Sequence, residues 1–388
     1  TEEEQRFMKT TSWVVAAALA VPLIASAAPG ALAAGSSTKS SAAANGPANM
    51  YTKGLTPIST SVLAKYTNCD ADGKPKNPDL KIAFAQTDIG VPWRVTQTNS
   101  FKFWVKKLCV PHFIWNQANA DPAKELTNVS DLLAQKPNVL VLDPVASQPL
   151  VPAIEMAKKA GVTMIVIDRK LPVLPGPDTY PALIASDDFR VGYASAEAWI
   201  EKLKKVQKTD NPKANLALIS GNVGSSPAIE RDKGVEAAIK PYPGIKIVAD
   251  QSGDWTLPGG RKVMESYVQR FAPGQLQGVF AASDETMLGA RQALEAAHRT
   301  DLDGWFFDGD GQLQGIQAVA DGFVVATTQF PPLYGEPSVQ AAIALSQGVT
   351  LPGRYFQLPQ KTFTCLTAEA CAKTKAYIAM LEATGRLF

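Results

Sequence analysis

The stretch TMIVIDRKL, residues 163–171, runs five mostly β-branched or apolar residues straight into an acid and a base. Thr163–Ile167, preceded by a turn at Gly161, reads as a short strand buried on both faces, as in a parallel sheet. Asp168 and Arg169 then fall at its carboxyl end, where open α/β sheets hold their ligands. The pattern recurs along the chain, in LKIAFAQ (80–86), HFIW (112–115), NVLVLD (138–143), ANLALIS (214–220), GIKIVAD (244–250), LQGVFAA (276–282), GWFFD (304–308) and FVVATTQ (323–329). Helix-like segments lie between these runs, for example 93–108 and PAKELTNVSDLLAQ (122–135). Strands alternating with helices of ~10–15 residues predict βαβ units and parallel sheets. About nine such strands overfill one doubly wound domain. Two similar lobes, divided near IASDD (184–188), fit better.

Each strand end delivers polar residues: Trp93-Arg94, Asp143, Asp168-Arg169, Ser283-Asp284, Asp308 with Asp310, and Gln329. A carboxylate accepts from hydroxyls and a guanidinium donates in a fixed fork, so Asp168 and Arg169 can bracket neighbouring hydroxyls of a polyol. The flat indole of Trp93 can cover the C–H face of a sugar ring. The same residues also have plain readings, an N-cap aspartate and a core tryptophan among them.

Composition narrows the function. The 388 residues are 46% hydrophobic and 19% charged with a net charge of +2, which suits two or three globular domains and no nucleic-acid footprint. His112 and His298, the two histidines, lack metal-ligand spacing, so neither a zinc site nor a His-based triad is expected. DLDG and DGDG lack the spaced oxygens and distal Glu of an EF-hand, and no metal or cofactor is expected. GNVGSS (221–226) lacks the P-loop Lys-Ser/Thr ending and reads as a tight turn. Ser225 and Ser226 have no G-x-S-x-G context, so a hydrolase is not expected.

From Met8, MKTTSWVVAAALAVPLIASAAPGALAAG has the basic start, apolar stretch and small residues of a secretory signal. Residues 1–34 are therefore read as the signal region, with cleavage after Ala33 or Ala34, or near Ala25–Ala27. Residues 35–79 are read as a leader and N-terminal extension. Four cysteines suit an oxidising compartment and allow three connectivities. Local pairing, Cys365 with Cys371 and Cys69 with Cys109, is the preferred one.

Together with the export signal, the blocks MIVIDR, ISGNVGSSPAIERDKGVEAAI, VADQSGDWT, VFAASDETMLGARQALEAA, DGDGQLQGIQAVADG and ATTQFPPLYG resemble the periplasmic sugar-binding proteins of ABC transporters, of the ribose-binding type. GVPWRVTQTN and SGDW look most like the galactofuranose-binding branch. The resemblance implies a type I periplasmic binding protein, with two Rossmann-like lobes and parallel sheets joined by a three-crossover hinge. Residues 80–185 with 330–355 would form the N-terminal lobe, and 186–329 with 356–388 the C-terminal lobe. By similarity, Trp93 stacks on the ring and Arg94 bonds its oxygens. Asp168 and Arg169 take adjacent hydroxyls, Arg231 and Asp310 reach in from the second lobe, and Gln329 lies on the second crossover. Asp143 stands where many members place Asn. Ser283-Asp284-Glu285 stands where the family usually writes Asn-Asp-Glu or Asn-Asp-Asp, and a serine cannot offer an amide's donor and acceptor together.

What the resemblance implies is a monomeric periplasmic capture protein, not an enzyme. It would hold a monosaccharide, a pentose or a galactofuranose-like sugar, and present the closed form to an ABC permease in the inner membrane. A sensory role, presenting the closed form to a chemoreceptor or histidine kinase, is the alternative.

Overall fold

A computed structural model describes residues 51–386 and Phe388. The expected signal region and the leader up to residue 50 lie outside the described residues. Two mostly parallel sheets organise the chain. The first has the order β1-β12-β6-β5-β4-β2-β3, built from β1 (Pro57–Ser59), β2 (Lys81–Gln86), β3 (His112–Gln117), β4 (Val139–Leu142), β5 (Thr163–Ile167), β6 (Leu183–Ala185) and β12 (Tyr355–Gln357). The second has the order β13-β11-β10-β9-β7-β8, from β7 (Ala214–Ser220), β8 (Ile245–Ser252), β9 (Gly278–Ala281), β10 (Phe306–Asp310), β11 (Val324–Gln329) and β13 (Thr362–Thr364). All strand pairs are parallel except β11 with β13.

Among the described residues, ten α-helices cover the sheets: α1 (Pro92–Lys107), α2 (Pro122–Ala134), α3 (Pro152–Lys159), α4 (Asp188–Gln207), α5 (Ser226–Ile239), α6 (Leu257–Arg270), α7 (Asp284–Ala296), α8 (Leu313–Ala320), α9 (Gly335–Ser346) and α10 (Ala368–Thr384). Their starts are written locally. α1, α2, α3, α5 and α6 carry proline in the first turn, where a missing N–H costs nothing. Asp121, Thr256 and Ser283 cap α2, α6 and α7 through their side-chain oxygens.

The apolar runs are buried for the reason their continuity predicted. In β2, β4 and β5, Phe84, Val141 and Ile165 face one helical layer, while Ala85, Leu140 and Met164 face the other. A strand covered on both faces keeps no polar side, and only its end is free to be polar.

The chain passes between the sheets three times: after β6 at 186–187, after β11 at 330–334, and after β12 at 358–361. The expected boundary at 355/356 falls inside β12, because Tyr355–Gln357 pairs with both β1 and β6. Gln360 ties the passages together. Its Nε2 donates to Gln329 O at 2.9 Å and Asp187 O at 3.3 Å, and its Oε1 accepts from Asp187 N at 3.0 Å. The extension is part of the first lobe, since it supplies edge strand β1 and is bonded to the end of α1 through Cys69–Cys109. Cys365–Cys371 is the second disulfide, so the preferred local pairing is the one formed.

Candidate functional site

The carboxyl ends of the two sheets face one another across a cleft. The space between opens to solvent and is lined by residues of both lobes.

On the first-lobe wall, α1 begins directly beyond β2 and brings Trp93 and Arg94 to the cleft. The indole N–H of Trp93 donates to Phe330 O at 2.8 Å, and its ring stacks on Phe330 with centroids 5.8 Å apart. Arg94 lies 4.6 Å from the Trp93 ring centroid. Its Nη1 donates to Asp143 Oδ2 at 2.6 Å, Asp168 Oδ2 at 2.7 Å and Gln97 Oε1 at 3.0 Å. Burial alone would lower the Arg94 pKa, but Asp143 and Asp168 drive it upward. The other oxygen of Asp168, Oδ1, is buried without a partner, so it is available to a ligand hydroxyl.

On the second-lobe wall, α5 supplies Arg231 and the end of β10 supplies Asp310, with Arg231 Nη1 donating to Asp310 Oδ1 at 2.9 Å. Burial raises the Asp310 pKa, and Arg231 opposes it. The Arg231 guanidinium sits between two rings, 5.1 Å from Trp255 and 4.5 Å from Phe330. Trp255 rests on Gly221, where a Cβ would stand 1.9 Å from the indole, and its Nε1 is buried without a partner. Each wall thus pairs an arginine with an aspartate beside an aromatic face. Asp168, Trp255 and Asp310 all have left-handed backbones, with φ of 56°, 61° and 87°. Strain of this kind gathers where a site fixes side-chain direction.

Of the expected residues, Trp93, Arg94, Asp168, Arg231, Ser283 and Asp310 line the cleft. Asp143 and Arg169 stand behind the first wall. Asp143 holds Arg94, and Arg169 Nη1 donates to Val145 O at 2.6 Å. Asp284 turns away because it is the first residue of α7. Its Oδ2 accepts from Gln312 N at 2.6 Å, and it packs against Gly315, where no Cβ would fit. Gln329, expected on the second crossover, is instead the last residue of β11, paired with Asp310, and its side chain donates to the Tyr377 hydroxyl at 3.1 Å.

Trp255, Glu285 and Phe330 line the cleft without having been singled out as contact residues. The SGDW end of β8 carried the signal for Trp255, as Phe330 directly after β11 did for itself. Lys170 has no such signal, because a lysine after a strand reads as solvated. It is fully buried, and its Nζ reaches Asp188 Oδ2 at 2.5 Å and Glu230 Oε2 at 2.6 Å, on α4 and α5 of the second lobe. Its backbone N–H donates to Ser226 Oγ at 2.7 Å, and Ser147 N donates to Gly224 O at 3.1 Å. GNVGSS is therefore a turn, as expected, and it carries part of the contact between the lobes. Among the described residues, no cluster of His, Cys, Asp and Glu is arranged to hold a metal, and no helix is long and apolar enough to cross a membrane.

Two lobes, three crossings and a polar cleft with aromatic flanks are the architecture of a two-lobed binding protein. A family model described as the periplasmic binding protein domain matches residues 82–350, and the chain belongs to that family. The galactofuranose-binding protein YtfQ of Escherichia coli is 28% identical over 70% of this chain and 84% of its own length. The ribose import binding protein RbsB of Haemophilus influenzae is 30% identical over 76% of this chain and 94% of its own. A crystal structure from Mycobacterium smegmatis in complex with β-D-fucofuranose matches with a TM-score of 0.69 at 28% identity, covering 79% of this chain and 97% of that one. The fold is that of type I periplasmic binding proteins, and these relatives are binders rather than enzymes.

Proposed function

We propose that this protein is the periplasmic substrate-binding component of an ABC sugar importer, and that it holds one uncharged monosaccharide, a pentose or a galactofuranose-like sugar, between its lobes. One observation carries the reading. Asp168 Oδ1 on one wall and Trp255 Nε1 on the other are a buried acceptor and a buried donor left open, flanked by Arg–Asp pairs and aromatic rings. A sugar supplies what they lack, hydroxyls that both donate and accept and an apolar C–H face for the rings.

In this reading Trp93 and Trp255 cover the ring, while Arg94, Asp168, Arg231 and Asp310 read its hydroxyls. Asp143 and Arg169 fix the first wall from behind. The first lobe, including β12, and the second lobe turn about the passages joined by Gln360. The monomer, delivered by a cleaved signal sequence, would present the closed pair of lobes to a membrane permease. The galactofuranose-binding and ribose-binding relatives and the furanose complex support the ligand class.

Tryptophan emission tests this directly, since two indoles line the cleft. Titration with D-ribose, L-arabinose and D-galactose is expected to shift the emission with saturation for at least one sugar. Trp93→Ala is expected to weaken that binding by ~10-fold or more, an indole contact being worth on the order of 1–2 kcal/mol. Unchanged affinity in the variant would remove Trp93 from the site.

A further inference from the structure

Ser283 stands where the resembled family places an amide, and its side chain is committed elsewhere. Its hydroxyl caps α7, accepting from Thr286 N at 3.3 Å while Thr286 Oγ1 accepts from Ser283 N at 3.1 Å. The cleft wall is completed two residues on. Glu285 lines the cleft and is only 8% exposed, with Oε1 accepting from Gln312 Nε2 at 2.8 Å. Gln312 is itself fixed, its backbone N–H bonded to Asp284 Oδ2. The carboxyl of Glu285 is thereby anchored by one oxygen on the cleft wall beside Ser283, whose hydroxyl is taken up by the helix cap.

The charges nearby bear on what this carboxyl can meet. Asp310 on β10 and Asp284 on α7 are its acidic neighbours, and Arg231 on α5 is its cationic one. Arg231 already serves Asp310 at 2.9 Å and Asp188 at 3.4 Å, and Arg94 already serves Asp143 and Asp168. Neither cleft arginine has charge to spare for an anionic ligand. Burial, then the charge of Asp310, push the Glu285 pKa up to about 7. Near neutral pH it therefore exists partly as the acid, and a protonated carboxyl, like an amide, offers one donor and one acceptor.

We propose that Glu285 is a specificity-determining residue of the cleft: its carboxyl bonds a ligand hydroxyl in place of the amide missing at position 283, and it selects uncharged sugars and polyols over sugar acids. This rests on the sugar-binding reading of the same cleft. Glu285→Gln supplies an amide at every pH, whereas Glu285→Ala removes the group.

The test is calorimetry of the wild type, E285Q, E285A and D168A with D-ribose, D-galactose and xylitol, and with D-ribonate and D-galacturonate as the acid counterparts. For the neutral probe that binds, E285A is expected to lose roughly 10-fold or more in affinity, the cost of one buried hydrogen-bond group left unmade. E285Q stays within about 3-fold and loses the weakening that the wild type shows between pH 6 and pH 9. Neither acid binds the wild type as tightly as its neutral parent. Wild-type affinity in E285A, or a sugar acid bound more tightly than its parent, would overturn the inference. If D168A abolishes sugar binding while E285A leaves it intact, the inference alone fails. If no probe binds the wild type, the sugar reading fails and takes the inference with it.

Discussion

Replacing Lys170 by methionine removes an ammonium that joins the lobes through buried carboxyls. Lys170 Nζ lies 2.5 Å from Asp188 Oδ2 and 2.6 Å from Glu230 Oε2, and all three side chains are at most 2% exposed. Breaking a buried pair by removing one partner costs about 3–5 kcal/mol, because a charge is left without compensation. Two features place this case at the lower end. Asp188 keeps Arg231 Nε at 3.4 Å, and burial holds Glu230 at about 8 even beside Lys170, so at pH 7 it can take a proton rather than stay charged. The expected loss is therefore about 3 kcal/mol, or roughly 6 °C in Tm at ~2 °C per kcal/mol for a chain of this size. Circular dichroism melts at pH 7 measure it. Adding Glu230→Met replaces the carboxyl left without its partner by an apolar group and is expected to recover at least half of the loss. A single variant melting within a degree or two of wild type would refute the reasoning, as would a double variant no better than the single one.

Stability is expected to fall as the pH rises through 7 to 8. Burial lifts Glu230 and Asp308 to about 8, and Glu285 and Asp232 to about 7, all above their ordinary values. A carboxyl whose folded pKa lies above its unfolded one stabilises the fold at acid pH, and that contribution is lost as the pH passes the folded value. The change between pH 6 and 8 is about 1.4 kcal/mol for each group near 7 and about 2.3 kcal/mol for each group near 8. Melts across pH 5–9 check the sign, and a Tm rising toward pH 9 would contradict it. Gly221→Ala puts a Cβ 1.9 Å from the Trp255 indole and must push the ring from the cleft wall. Sugar affinity is expected to drop ~10-fold or more, about 1.4 kcal/mol, with far-UV circular dichroism unchanged. Wild-type affinity in that variant would mean that Trp255 does not touch the ligand.

The nine strands legible in the sequence are those with apolar runs long enough to read, although edge strand β3 is only half-buried, and several of their ends line the cleft. β1, β6, β12 and β13 have three residues each, too short to show a period. Two of them bear on the expected lobe boundaries: β6 lies where the break was placed, and β12 spans 355/356. At the site, strand ends were legible but direction was not. Ser283 is the N-cap of α7, so Asp284 in the first position turns toward α8 and Glu285 in the second reaches the cleft. A shift of one residue around a helix start exchanges these roles, and composition at the strand end does not reveal it. Lys170 was hidden for a different reason. Its two partners are 18 and 60 residues away, and only the docking of the second lobe turns an apparently solvated lysine into a buried one. In TMIVIDRKL, then, the run that marked the fold ends in three residues with three tasks. Asp168 faces the cleft, Arg169 braces the wall behind it, and Lys170 fastens the lobes.

Calorimetric titration of the full chain against a panel of uncharged sugars, run in parallel on Asp168→Ala, tests most directly whether the cleft holds a sugar. The expected result is one-to-one binding of at least one pentose or furanose-forming hexose to the wild type and its loss in Asp168→Ala, whose melting curve shows it still folded. Equal binding by the variant, or tight binding of an amino acid or peptide in place of any sugar, would contradict it.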